Sequence, residues 1–115
     1  WVDDETDIDT VTAVSGSGPA YFFLFMEAMQ DAAKELGLSE ELAKQLVYQT
    51  ASGAADLAIQ SKDTIAELRR KVTSPGGTTE RAINTFEAGE IRKLVNSALV
   101  DAKKRSIELS KEMKS

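Results

Sequence analysis

The amino-acid sequence predicts an all-α domain: a bundle of about six helices, two of them long. Three observations carry this. Apolar residues recur at three- and four-residue spacing through most of the chain. The intervals between periodic stretches hold residues that start or stop helices: Ser39, Thr64 with Glu67 three positions on, Gly37 and Gly89. No segment sustains the apolar–polar alternation of a strand; "TVTAV" (10–14) has β-branched residues but is short and flanked by helix signals.

The elements follow in order. Acidic residues from Asp3 to Asp9 favour a helix N-terminus, and Ile8, Val11, Thr12 and Val14 supply a short apolar pattern. "SGSGPA" (15–20) breaks that helix; Ser17 or Gly18 serves as N-cap of the next and Pro19 suits its first position. That second helix runs to about Leu36 and is closed by Gly37. Its first half, "AYFFLFMEAM" (20–29), is apolar almost all round, which places it in a core or an interface. Ser39 caps a third helix with apolar positions at Leu42, Leu46, Val47, Ala54, Leu57 and Ala58, and "ASGAAD" (51–56) gives it a face of small residues that lets another backbone approach. Thr64 and Glu67 have capping-box spacing for a fourth helix ending near Val72. A fifth spans Thr78–Ala88 and is closed by Gly89. The last runs from Glu90 to about Met113 on a stripe including Ile91, Leu94, Val95, Ala98 and Ala102.

A chain of 115 residues, 42% apolar and 29% charged, is read as one folded domain over residues 1–115. A helical domain of this size buries more by pairing with a second copy. The net charge of −5, from 14 basic and 19 acidic residues, argues against a nucleic-acid partner. The two basic clusters, Arg69–Lys71 and Lys103–Arg105, are expected in solvent near helix C-termini. The longest apolar run, residues 21–26, is too short for a membrane span, so no membrane partner is expected. With no cysteine and no histidine, disulfides, thiolate sites, the usual neutral-pH base and the commonest metal ligand are excluded. The chain starts at Trp1, not Met, which points to a fragment or processed chain.

Two motifs invite a functional reading. "TSPGGTT" (73–79) sets a Gly-Gly pair before a helix, where successive N–H groups make a concave anion nest and the helix dipole adds to it. Thr73, Ser74, Thr78 and Thr79 bring hydroxyls to the same place, so the chemistry is that of a small carboxylate or phosphate; the plain alternative is a helix connection with a capping threonine. No Gly-Lys-Ser/Thr follows, so this is not a nucleotide P-loop. "SGSGPAY" (15–21) could cradle a phosphate, or its glycines could let helices cross closely. Asp3, Asp4, Glu5, Asp7 and Asp9 lack the spacing of a calcium loop and read as a solvated helix start, as do Glu40 and Glu41. No metal site is expected. Tyr21, Phe22, Phe23 and Phe25 read as core or interface.

Taken together, "DTVTAVSGSGPAYFFLFMEAMQDAAKELGLS" (9–39), a helix with "GAA" (53–55), and "ELRRKVTSPGGTTERAI" (67–83) closely resemble the C-terminal, dimerising domain of pyrroline-5-carboxylate reductase. The resemblance covers nearly the whole chain. It implies an oxidoreductase of proline biosynthesis, located in the cytoplasm, that reduces the imine of 1-pyrroline-5-carboxylate to L-proline with NADPH or NADH. It implies that an N-terminal Rossmann domain, absent from this chain, holds the dinucleotide. The helical domain would interlock with a second copy as a homodimer, and in many members dimers assemble further. Carried onto this chain, Ser74, Gly76, Gly77 and Thr78 would bind the carboxylate of the small-molecule substrate, and Thr79 would act on the imine nitrogen as the catalytic residue. Thr73 would be structural, and Ser15, Gly16, Ser17 and Gly18 would lie near the nicotinamide. This piece alone is expected to be inactive. Family members commonly carry a proline shortly before the segment matching "LRRKV" (68–72), where this chain has Thr64 and Ile65. The alternatives are a non-catalytic helical oligomerisation module and the helical domain of another two-domain NAD(P)-dependent dehydrogenase.

Overall fold

The structure, a computed structural model, describes residues 5–114, so the expectation that Asp3 and Asp4 begin the first helix lies outside the described residues. Six α-helices follow one another: α1 (Glu5–Val11), α2 (Gly18–Glu35), α3 (Glu40–Gln60), α4 (Ile65–Lys71), α5 (Thr78–Ala88) and α6 (Ile91–Lys114). There is no strand among the described residues. Three of the helices are long, at 18, 21 and 24 residues, rather than two. None is long and apolar enough to cross a membrane.

The first departure from expectation lies between α1 and α2. "SGSGPA" does not open into a loop; Thr12–Gly16 winds as a π-helical segment, closed by the Ser17 N–H on the Thr12 carbonyl at 2.9 Å. The hydroxyls of Thr12 and Ser15 donate back to the carbonyls of Ile8 (2.9 Å) and Val11 (3.2 Å). Hydroxyls bonded four residues back compete with the backbone ladder and loosen it, which is a local reason for the wider turn.

The chain divides into two units, residues 1–22 with 86–115 and residues 23–85. In the first, α1 and the π segment pack on α6. Ala13 is buried in this packing, and the buried Asp9 accepts a hydrogen bond of 2.7 Å from Ser106 of α6. The Tyr21 hydroxyl donates to the Ala13 carbonyl at 2.8 Å, tying the start of α2 to the π segment. The junction of α5 and α6 turns through Glu90, at φ 59°, and not through Gly89 as expected. Glu90 donates its N–H to Glu87 and offers its carbonyl to Leu94, so it sits at the N-cap of α6. Arg92 grips the Glu87 carboxylate from across this turn at 2.9 Å, which raises its pKa. The Lys103–Arg105 cluster lies in the middle of α6 and not at a C-terminus; Arg105 reaches Glu108 and Glu112 one and two turns on.

The second unit is held by local signals. Gly37, at φ 108°, closes α2 with its N–H on the Lys34 carbonyl and the Leu38 N–H on that of Ala33, the double bond of a left-handed C-cap. The Ser39 hydroxyl accepts from the Leu42 N–H at 3.2 Å and starts α3. Thr64 and Glu67 form the full capping box of α4, with both reciprocal bonds at 3.1 Å. The bond from the Thr64 backbone to the Glu67 carboxylate holds that carboxyl below its ordinary pKa. Lys71 pairs with Asp63, bridging the ends of the α4 segment. Burial is slight. Only Ala43 and Val47 are buried on α3, while Phe23 and Leu24 of α2 each stand 67% exposed. The apolar stretch of α2 is therefore not a core within this unit.

Candidate functional site

The site predicted from "TSPGGTT" begins where α4 ends. Arg69, Arg70 and Lys71 form the last turn of α4, where positive charge suits the helix's negative pole. Thr73 follows, half-buried, with its N–H on the Arg70 carbonyl at 3.1 Å and its hydroxyl on the Arg69 carbonyl, so it anchors the loop to α4. Ser74 to Gly77 then make a reverse turn, the Gly77 N–H donating to the Ser74 carbonyl at 3.0 Å. Pro75 presets its φ at the second position and Gly76 takes φ 74° at the third, which makes the turn type II. Gly77 is favoured for a different reason: a Cβ there would stand a tight 3.2 Å from the Ser74 carbonyl oxygen, which would have to give by a few tenths of an ångström.

α5 starts directly from the turn. The Gly77 carbonyl accepts from the Arg81 N–H at 3.3 Å, so Gly77 is the N-cap and Thr78, Thr79 and Glu80 form the first turn. The Glu80 carboxylate reaches back to the Gly76 N–H at 3.0 Å. Two of the N–H groups counted toward an anion nest are thus already committed: that of Gly77 inside the turn and that of Gly76 to Glu80. The N–H groups of Thr78 and Thr79 have no acceptor among the described residues. The side chains of Ser74, Thr78 and Thr79 are exposed. What remains is a compact set of donors, three hydroxyls and two N–H groups, at the positive end of a helix.

Ser74, Gly76, Gly77, Thr78 and Thr79 therefore come together in one turn and one helix start. Ser15, Gly16, Ser17 and Gly18 fall in the other unit. There the Ser15 hydroxyl is turned back on Val11, and a Cβ on Gly18 would meet nothing within 4 Å. Close helix crossing inside the chain is therefore not what requires glycine at position 18. Glu80 was missed in the sequence. Its signal was present, since an acidic residue three positions after the N-cap is where a side chain can reach back to the backbone before the helix. No three His, Cys, Asp or Glu side chains converge as a metal site among the described residues.

Comparison with known proteins bears on this arrangement. Residues 5–109 match the family described as pyrroline-5-carboxylate reductase dimerisation. The chain is 58% identical to the pyrroline-5-carboxylate reductase of Pseudomonas aeruginosa over 98% of its own length and 41% of that protein's. It is 39% identical to pyrroline-5-carboxylate reductase 2 of Bacillus subtilis, over 95% of this chain and 39% of that one. A solved pyrroline-5-carboxylate reductase from Coxiella burnetii superposes with a TM-score of 0.91 at 50% identity, covering 95% of this chain and 40% of that chain. A Plasmodium falciparum pyrroline carboxylate reductase, solved with NADP bound, superposes with a TM-score of 0.87 at 38% identity, covering 90% of this chain and 40% of that chain. The chain thus spans about two fifths of the length of these relatives. With the match running from α1 well into α6 and taking in the whole Ser74–Glu80 turn, the chain belongs to the pyrroline-5-carboxylate reductase dimerisation family.

Proposed function

We propose that this chain forms the dimerising and substrate-holding part of an enzyme that reduces 1-pyrroline-5-carboxylate to L-proline with NADPH or NADH. The observation that carries the reading is the donor set of the Ser74–Thr79 turn at the N-terminus of α5. The Ser74 hydroxyl and the Thr78 N–H hold the substrate carboxylate, helped by the helix dipole. Gly76 and Gly77 contribute by shaping the turn that presents these donors, their own N–H groups being engaged by Glu80 and Ser74. The Thr79 hydroxyl hydrogen-bonds the ring nitrogen, orienting the C=N bond so that its carbon faces the reductant.

The described residues do not by themselves fit a dinucleotide, since they include no strand–loop–helix cradle and the Ser15 hydroxyl is already engaged. When bound, a nicotinamide supplies the hydride. This chain's residues fix the acceptor: the carboxylate is anchored, the nitrogen is hydrogen-bonded, and the nitrogen gains a proton as its neighbouring carbon gains the hydride. The exposed apolar face of α2 supports a second copy as partner. A cytoplasmic location agrees with this chemistry.

The test is to let the chain replace the matched segment of the Pseudomonas aeruginosa relative and follow nicotinamide absorbance with 1-pyrroline-5-carboxylate. The hybrid is expected to turn over. Thr79→Ala in it is expected to lower kcat/KM by about 10²-fold, the scale of a lost orienting contact, with the oligomeric state unchanged. Turnover that ignores Thr79→Ala would leave a purely structural module as the better reading.

A further inference from the structure

The Glu80 carboxylate lies on the turn proposed to hold the substrate carboxylate. Its Oε1 lies 3.0 Å from the Gly76 N–H, on the turn whose other members are Ser74 and Thr78. It is half-buried, and among the described residues its carboxylate has this one hydrogen bond, to the backbone before its own helix. Two roles follow from that geometry, and they differ in what the charge does. As a tether, Glu80 needs only an acceptor oxygen to steady the turn. As an anion, it satisfies the positive end of α5 and repels a second carboxylate arriving at the same end.

The anionic role is the better supported. The turn is already closed without Glu80, by the Gly77–Ser74 bond, by Pro75, and by the hold of Thr73 on α4. A tether adds little to a turn so constrained, whereas a full negative charge beside an anion site alters every carboxylate that binds there. We infer that Glu80 is a specificity-determining residue of the substrate site, an internal carboxylate whose charge opposes that of the substrate at the Ser74–Thr78 end of α5. This inference rests on the substrate site proposed above. Glu80 stays on the Gly76 N–H whether or not substrate is bound, and its charge stands beside the Ser74 and Thr78 donors, so affinity for acids is set below what the donors alone would give. The inference concerns only ligands that carry a carboxylate, and an uncharged imine ring is indifferent to it.

The experiment compares 1-pyrroline-5-carboxylate with 1-pyrroline, the same ring without the acid, as substrates of the hybrid reductase. Glu80→Gln keeps an acceptor oxygen for Gly76 and removes the charge. It is expected to lower KM for the acid by roughly 1.5- to fivefold, the range for one partly screened charge contact, and to leave KM for 1-pyrroline unchanged. Glu80→Asp keeps the charge at the helix start but is one methylene too short to hold Gly76, and it is expected to leave the ratio of the two KM values near that of the parent. An unchanged ratio in Glu80→Gln overturns the inference, as do parallel changes for both substrates, which would make Glu80 a tether. Ser74→Ala separates the two levels of the claim. It should raise KM for the acid alone; if it does while Glu80→Gln does not shift the ratio, only the role of Glu80 fails, and if it changes neither KM, the substrate site itself fails.

Discussion

Gly76→Ala isolates the backbone requirement of the turn. A Cβ at Gly76 meets nothing within 4 Å, so no side chain has to move, and the whole penalty comes from the φ of 74°. An L-residue in the left-handed region is disfavoured by about 1–2 kcal/mol, and the alanine chain gains back about 0.4–1 kcal/mol because its open states are fewer. The net, about 0.8 kcal/mol at the middle of these ranges, lowers the population of the competent turn by up to roughly fourfold and raises KM by the same factor. The value of kcat should move little, because once the turn forms the hydroxyls stand where they did. Asparagine tolerates the left-handed region better than alanine, so Gly76→Asn should fall between alanine and glycine. Gly77→Ala is the contrasting case. Its Cβ would press on a backbone oxygen at 3.2 Å that cannot swing away, so the first turn of α5 must shift and kcat should fall as well. The assay is steady-state reduction of 1-pyrroline-5-carboxylate by the hybrid enzyme. Equal KM for Gly76→Ala and the parent, or equal values for alanine and asparagine, would refute a left-handed Gly76 in the working site.

Two further outcomes concern stability, read by thermal unfolding at one protein concentration. Thr64→Ala removes the cap of α4 and is expected to destabilise by about 1 kcal/mol. Because the folded pKa of Glu67 is depressed by its bonds to Thr64, the contribution of this box is fully present above the ordinary carboxylate pKa and is lost as pH falls through the lowered folded value. The penalty of Glu67→Ala should therefore shrink in acid, and an equal penalty at neutral pH and near pH 3 would contradict the box. Glu90→Gly relieves a left-handed glutamate at the α5–α6 junction and should stabilise by about 0.5–1 kcal/mol after the entropy of the new glycine is counted. A lower Tm for this variant would mean that the Glu90 side chain holds α6 in some way its backbone does not reveal.

Much of this was legible in the sequence because it is local. Ser39, the Thr64–Glu67 pair and Gly37 act on backbone groups within five residues of themselves, and all three act as their spacing predicts. The π segment was not legible, because Ser and Gly in "SGSG" mark a break as readily as a widened turn; the deciding bonds run from Thr12 and Ser15 to carbonyls four residues back. Gly89 was the obvious C-cap, yet the left-handed residue is Glu90, where the Arg92–Glu87 pair and the start of α6 meet. In the loop, residue types marked the donors correctly as a group. They did not reveal which N–H groups the turn itself consumes, since that depends on whether Gly76 or Gly77 turns left.

The helices of residues 23–85 raise a different question, which is what keeps them ordered. α3 runs 21 residues with only Ala43 and Val47 buried. Helices in proteins draw most of their stability from packing and not from propensity, and a cap adds about 1 kcal/mol against roughly 1–2 kcal/mol of ordering entropy for every residue. Local signals therefore define where these helices begin and end without supplying what stabilises them. The missing contribution has to be apolar burial against another surface, and the exposed Phe23 and Leu24 of α2 and the open small face around Gly53 are suited to receive one. A second copy is the partner consistent with a family defined by dimerisation. On that reading association and folding of this unit are a single process, and the Ser74–Glu80 turn, which lies within the unit, reaches its working rigidity only in the dimer.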